Sequence, residues 1–469
     1  MRVSTGLERL DDLMGGGFLE KSFNLLSGTP GAGKTLFAVN YLLYHAEKDK
    51  DVLYISLEES WKNIIGNLPE GLRKRYESCK NRVHYLDFGS IRPLLGKEIL
   101  NIEILGETIS TSMAVHNSKI IVLDGIAPLI PHFEATKEIR MALFELSQRI
   151  KKMGGTMVFT SERAGEMISR CGVEEYVADS VILLHYDGSS RKIQILKMRG
   201  SEFIYGHHGF KIEESGIKVF PNTLPEHRSK KIEKVEFGIK GMEKIIGKMY
   251  SGDIILLSGP PGTGKTIMAY HFAEKALKNG DKVLFVSFKE GKEQILKRAR
   301  ELGFKIEGIK IMHRNLFEID PYEFMWEIYE NTKDVKRVIF EGIGHMELSE
   351  DVKKVEYTLL RNLKMRGITT LITHTTSDII SSYRLGTPGI TYLADNIIDL
   401  RYSEIGAELR KVLVVIKSRG LEYEKGIIEY DIGKRGIRII GKPESLEGVI
   451  SGTPRHLEMK KRVEKFFKG

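Results

Sequence analysis

The chain has 469 residues, of which 41% are hydrophobic and 29% charged, with ordinary glycine and proline usage. That composition excludes disordered and fibrous classes, and its charged fraction sits slightly above the usual ~25%, a leaning seen in thermophiles. The net charge of +9 fits either nucleic-acid contact or a lysine-rich solvated surface. Cys79 and Cys171 are the only cysteines, which excludes a disulfide framework or a cysteine zinc site. No apolar run approaches 18 residues and Met1–Gly6 carries no apolar signal region, so a cytoplasmic protein without a membrane span is expected.

In chain order, Thr5-Gly6-Leu7 opens a short amphipathic stretch that ends at Gly15-Gly16-Gly17. A predicted strand, Phe23 to Leu26, runs into Gly28-Thr29-Pro30-Gly31-Ala32-Gly33-Lys34-Thr35, which fits G-x-x-x-x-G-K-[ST]. A helix is predicted from Leu36 to Glu47 and a strand from Val52 to Leu57. Lys119 to Asp124 reads as a buried strand ending in an acid, and later strands are expected over 155–160, 180–184 and 192–196. Pro221 to Lys231, with Arg228-Ser229-Lys230-Lys231, reads as a linker, which places domains at 1–225 and 232–469.

The second half then repeats the first. Phe237-Gly238-Ile239 precedes a strand at Ile254 to Leu257 and a second loop, Gly259-Pro260-Pro261-Gly262-Thr263-Gly264-Lys265-Thr266. One chance match in a chain of this length has a probability of ~0.02, so two in equivalent contexts mark a duplication. A helix follows from Ile267 to Lys278, then strands over 283–288, 337–341, 369–373, 396–400 and 412–416. Continuous apolar strands alternating with helices predict, in each half, an α/β domain with a mainly parallel sheet flanked by helices. Lys34 and Asp124 lie 90 residues apart and Lys265 and Glu341 lie 76 apart, so the first half carries extra sequence, expected between 60 and 118. A basic tail follows Pro454, with Arg455, Lys460, Lys461, Arg462, Lys465 and Lys468.

The motifs specify phosphate chemistry. Glycines let backbone N–H groups converge on phosphate oxygens at a helix N-terminus. The binding set is then Gly28 to Leu36 and Gly259 to Ile267, with ATP as ligand. Lys34 and Lys265 neutralise the β- and γ-phosphates, and the Thr35 and Thr266 hydroxyls with Asp124 and Glu341 hold Mg²⁺. Glu58-Glu59 follows the second strand, 24 residues after Lys34, where a carboxylate can orient and deprotonate the attacking water. Lys197-Met198-Arg199-Gly200 recurs as Lys417-Ser418-Arg419-Gly420, a repeated Lys-x-Arg pair suited to a γ-phosphate. His207-His208 reads as an exposed turn pair rather than a metal site.

Together these residues resemble the KaiC family within the RecA-like ATPases. The resemblance covers nearly the whole chain. It includes the T-G-x opening, the phosphate loop, the L-E-E after the second strand, V-L-D, Val173 to Val181, K-M-R-G and Ile450-Ser451-Gly452-Thr453-Pro454-Arg455. It implies a tandem RecA-like fold, a hexameric ring with ATP between subunits, weak ATPase activity and regulatory protein partners. It also implies that Lys197 and Arg199, like Lys417 and Arg419, reach the neighbour's ATP, and that the second ring phosphorylates itself in the clock protein of the family.

The second half departs from that pattern. Lys289 stands in place of Glu58, only Glu290 survives of the acidic pair as a catalytic candidate, and the strand-end acid is Glu341. Thr391-Tyr392 falls where the family carries its phosphorylated Ser-Thr pair. The second half is therefore expected to bind ATP and hydrolyse it poorly, leaving hydrolysis mainly to the first, with the whole acting as a regulatory switch. Two alternatives stand beside this. One is a RecA/RadA-like ATPase acting on DNA, for which the sequence offers no zinc motif, no stacking loop and no room for a separate module ahead of the ATPase core. The other is a Ser/Thr autokinase, with Thr375, Thr376, Ser377 and Thr391 as acceptors.

Overall fold

The computed structural model describes residues 1–90, 102–132, 135–163, 165–227, 229, 231–315, 318–343, 349–376, 388–405, 408–419, 422–443, 446–447 and 455–456. The chain divides into two compact units, Met1–Asn222 and Thr223–Gly469. Ser377, Gly420, Ile450 to Pro454 and the basic tail beyond His456 lie outside the described residues.

Unit one is built on nine strands: β1 (Phe23–Gly28), β2 (Val52–Ser56), β3 (Val83–Asp87), β4 (Ile120–Asp124), β5 (Thr156–Glu162), β6 (Ser180–Tyr186), β7 (Arg191–Met198), β8 (His208–Glu213) and β9 (Gly216–Phe220). Their order across the sheet is β9-β8-β7-β6-β1-β5-β4-β2-β3. The first six run parallel. β7, β8 and β9 are antiparallel to their neighbours. Every residue of β1 and β2 is buried, the expected state of central strands covered on both faces. Helix α1 (Lys34–Ala46) packs through Phe37, Val39, Tyr41 and Leu42 into a core shared with Val52, Tyr54 and Val122 on one face. Helices α2 (Ile102–His116) and α3 (Thr136–Lys152) bury Ile109, Met113, Leu143 and Ile150 on the other, with Leu25, Ile55 and Phe159.

Unit two repeats the plan with β10 (Ile254–Gly259), β11 (Val283–Ser287), β12 (Lys310–His313), β13 (Arg337–Ile343), β14 (Thr369–Thr375), β15 (Asn396–Ile405), β16 (Glu408–Ser418), β17 (Ile428–Gly433) and β18 (Gly436–Gly441). The order is β12-β11-β13-β14-β10-β15-β16-β17-β18. Helix α4 (Lys265–Lys278) occupies the place of α1. The fold class is therefore two tandem RecA-like α/β domains.

Sequence periodicity found the buried parallel strands. It did not show that the late strands reverse, nor the hairpins β8–β9 and β17–β18. The histidine pair needs correction: His208 begins β8 and is fully buried. Its Nε2 faces the Ile204 carbonyl at 3.2 Å and its Nδ1 accepts from the Asn222 N–H at 3.0 Å, so a core bond network holds it rather than a turn. The extra length of the first half includes the short helix Trp61–Gly66 and the 15 residues of α2, against 11 in the corresponding helix Pro321–Asn331.

Candidate functional site

Each phosphate loop leaves the carboxyl end of the central strand and turns directly into a helix, the place where open α/β sheets bind ligands. The turn needs a left-handed residue just before the lysine. Gly33 (φ +102°) and Gly264 (φ +94°) supply it, which makes Lys34 and Lys265 the first residues of α1 and α4. Lys34 Nζ donates to the carbonyls of Gly28 (3.0 Å) and Thr29 (3.1 Å). Lys265 Nζ does the same to Gly259 (2.7 Å) and Pro260 (2.8 Å).

The parallel register brings strand-end side chains to these loops. In unit one, Asp124 at the end of β4 accepts from the hydroxyls of Thr35 (3.0 Å), Tyr54 (2.6 Å) and Thr160 (2.7 Å). In unit two, Thr266 Oγ1 donates to Glu341 Oε1 (2.9 Å) and Ser287 Oγ to Glu341 Oε2 (3.2 Å). Phe285 occupies the position of Tyr54 and has no hydroxyl to offer. The additional methylene of glutamate lets the carboxylate reach Ser287 instead. The difference between the two strand-end acids is thus compensated locally, and each keeps a hydroxyl partner in its phosphate loop.

The donor set fits a nucleotide with Mg²⁺. A threonine hydroxyl and a strand-end carboxylate are hard oxygen ligands that leave the remaining positions to phosphate and water. Thr29 Oγ1 is buried within the first loop with no hydrogen-bond partner, an acceptor–donor left for a phosphate oxygen. Among the described residues no group of three or more His, Cys, Asp or Glu is placed to hold a metal.

The acidic pair is split by geometry. A Cβ built on Gly125, beside Asp124, falls 2.7 Å from Glu58 Cδ, so the Glu58 carboxyl lies over the end of β4 beside the loop. Glu59 turns outward, accepting from Asn67 Nδ2 at 3.3 Å. Burial, then Glu162 and Asp124, raise the Glu58 carboxyl above the ordinary glutamate range, with Lys34 and Arg170 opposing. Burial lowers the Lys34 ammonium, against the pull of Glu162, Asp124 and Glu58.

Unit two places Lys289 where unit one has Glu58. The same construction on Gly342 puts a Cβ 2.8 Å from Lys289 Cγ. Lys289 Nζ lies 3.3 Å from Thr375 Oγ1. Thr375 pairs in register with Gly259, as Glu162 does with Gly28. Lys265 falls to about 8, through burial first and Lys289 second, with Glu341 and Asp399 opposing. Glu290 is drawn away from the loop by an ion pair to Arg298 (2.6 Å).

The Lys-x-Arg pairs are not at their own unit's loop. Lys197 pairs across β6 with Val181, which pairs with Leu25, three residues before Gly28. That is roughly 10 Å down the strand axis from the loop. Lys197 Nζ donates to Glu175 O (2.8 Å) and Ala178 O (2.7 Å), and Arg199 faces Asp179 (3.4 Å). Lys417 repeats this toward Thr391 O (3.3 Å) and Tyr392 O (3.4 Å), and Arg419 pairs with Asp395 (2.9 Å). Thr391 is half-buried and Tyr392 exposed at this lower end, whereas Thr375 and Thr376 stand at the loop.

Sequence reasoning missed Tyr54, Thr160, Ser287 and Glu162, and it named Thr375 only as a phosphate acceptor, not as the partner of Lys289. Each lies on a buried strand at or just before its carboxyl end, and the offset from the phosphate loop shared by the two halves was the signal available for them.

Among the described residues no helix is long and apolar enough to cross a membrane. The sequence profile of the family described as ATPase: KaiC matches residues 3–224 and 235–444. The circadian clock oscillator protein KaiC of Acaryochloris marina is 30% identical over 98% of this chain and 92% of its own length. The proteins of the same name from Synechococcus elongatus and Thermostichus vulcanus are each 29% identical over 99% of this chain and 93% of their own. With both halves matched and two phosphate loops built as described, the chain belongs to the KaiC family of P-loop ATPases.

Proposed function

We propose that the protein is an ATP-driven switch in which the first half hydrolyses ATP and the second half holds it. The observation that carries this reading is the exchange of Glu58 for Lys289 at one position of the duplicated site. A carboxylate beside the loop can accept a proton from an attacking water, and a lysine there cannot while charged. In this reading Lys34 and the loop amides of Gly28 to Leu36 orient the phosphates, and Glu58 takes the proton from water. Gly259 to Ile267 orient them in the second half. In the first half Mg²⁺, held through Thr35 and Asp124, would supply neutralisation of phosphate charge, and in the second Thr266 and Glu341 stand in the corresponding places, bonded to each other. Glu59 and Glu290 support the turns after β2 and β11.

Lys197 with Arg199, and Lys417 with Arg419, stand too far from their own loops to serve them. They suit the site of an adjacent copy, which favours a ring, hexameric by family resemblance, with ATP at the subunit contacts. Regulatory protein partners would read the nucleotide state. A DNA-acting role gains no specific observation. Of the acceptors named for self-phosphorylation, Thr375 and Thr376 stand beside the loop of their own unit, and Thr391-Tyr392 lies at the opposite end of the sheet.

The test is ATP hydrolysis by wild-type protein and a Glu58→Gln/Glu59→Gln variant, with bound nucleotide counted in both. Loss of hydrolysis with both halves still loaded supports the reading. Retained hydrolysis refutes it and assigns turnover to the half that carries Lys289.

A further inference from the structure

Two positions that face the phosphate loop change together between the halves. Glu58 and Glu162 of unit one become Lys289 and Thr375 in unit two, and these two replacements are in contact with each other. The surrounding charges change accordingly. The first loop lysine, Lys34, is surrounded by the carboxylates of Glu58, Asp124 and Glu162, with Arg170 paired to Glu162 at 3.3 Å. Around Lys265 stand Lys289 and the carboxylates of Glu341 and Asp399, and Asp399 is paired to Arg401. Between the halves, the two exchanges remove two carboxylates from beside the loop and add one ammonium, leaving Lys265, Lys289 and Arg401 beside Glu341 and Asp399.

The consequence concerns what form of nucleotide each site accepts. A free nucleoside triphosphate carries about four negative charges, so an acidic site admits it only with a divalent cation to screen the repulsion. A site with surplus positive charge beside the loop needs no such screen. Lysine is a compact point charge on a flexible stem, and the exposed Lys289 can swing from Thr375 onto a phosphate oxygen without rearrangement of the strand. We propose that the second half binds its nucleotide as the metal-free polyphosphate anion, with Lys289 as the added phosphate-binding cation, whereas the first half requires the divalent-metal complex. This rests on the reading of the second half as a nucleotide site.

The experiment counts ATP labelled at the α-phosphate that stays with the full-length protein through rapid gel filtration, in MgCl₂ or in excess EDTA. Two nucleotides per chain are expected with Mg²⁺ and one with EDTA. The EDTA-resistant nucleotide should survive Lys34→Ala and be lost in Lys265→Ala. In Lys289→Glu its affinity should weaken at least about tenfold, the least expected from reversing a unit charge beside a phosphate at a protein surface, while the Mg²⁺-dependent nucleotide remains. Two nucleotides with Mg²⁺ and none with EDTA would overturn the inference and leave the function proposed above standing. An EDTA-resistant nucleotide insensitive to Lys289→Glu would also overturn it. A single nucleotide with Mg²⁺ that survives Lys265→Ala and is lost in Lys34→Ala would refute the second half as a nucleotide site, and the inference with it.

Discussion

Replacing Glu58 and Glu59 one at a time separates chemistry from surface structure. The Glu58 carboxyl sits over Gly125 among Asp124, Glu162 and Lys34, while the Glu59 carboxylate accepts from the Asn67 amide on an exposed turn. Glu58→Gln preserves shape and removes the proton acceptor. A positioned general base contributes about 10²–10⁴ in rate, or roughly 3–5 kcal/mol, so kcat should fall by that factor. KM for ATP should stay level or drop, because one of the three carboxylates around Lys34 has gone. Glu59→Gln should stay within about twofold, the scale of an exposed neutral contact. The base acts ionised, and its pKa is raised. Wild-type turnover should therefore fall with decreasing pH, starting above the ordinary glutamate range, and the residual rate of Glu58→Gln should lose that limb. Steady-state phosphate release across pH reads all of this. A Glu59→Gln rate reduced a hundredfold beside a near-normal Glu58→Gln would refute the assignment.

Three further outcomes follow from the packing. His45 and His208 are buried with pKa values of about 4, against 6.5 in the unfolded chain. Below pH 6.5 the unfolded chain takes up protons that the fold refuses, so stability declines down to about pH 4, by roughly 3 kcal/mol for each histidine. Chemical denaturation followed in the first half at pH 7 and pH 4.5 checks this, and His208→Gln should flatten the decline. Tyr54→Phe removes one donor from Asp124, as Phe285 does in the second half, and should cost about 1–3 kcal/mol, read from thermal unfolding. Arg337 is 2% exposed and holds Asp281 (3.4 Å) and the Glu236 carbonyl (2.9 Å). Arg337→Met should destabilise the second half by about 3 kcal/mol, the low end for breaking a buried pair because Asp281 keeps some exposure. An unchanged denaturation midpoint would show the pair to be idle.

The phosphate loops, the strands that feed them and the acids at Asp124 and Glu341 were legible in the sequence because local rules determine them. A buried parallel strand is a continuous apolar run, and a loop that must turn left-handed before a helix shows its glycine. What escaped depends on register between distant segments. That Thr160 meets Asp124, or that Thr375 occupies the place of Glu162, follows from how β4, β5 and β14 align, and no single stretch encodes it. The reversal of β7 escaped for the same reason, since Arg191–Met198 alternates as well for either direction. His208 was misjudged because a polar pair after Gly206 looks like a turn, while its bonds to Ile204 and Asn222 are visible only once β8 is in place.

The separation of each Lys-x-Arg pair from its own loop has a consequence for mixed populations. If one copy's cations complete the next copy's site, every contact is head-to-tail, and each chain lends at one edge and borrows at the other. A chain with Arg199→Ala would then keep its own turnover and silence only the neighbour it serves. A chain with Glu58→Gln would silence itself alone. Co-assembling the two defective chains would restore activity wherever an intact edge meets an intact loop, most at equal mixing and falling to nothing as either chain predominates, although neither chain is active by itself.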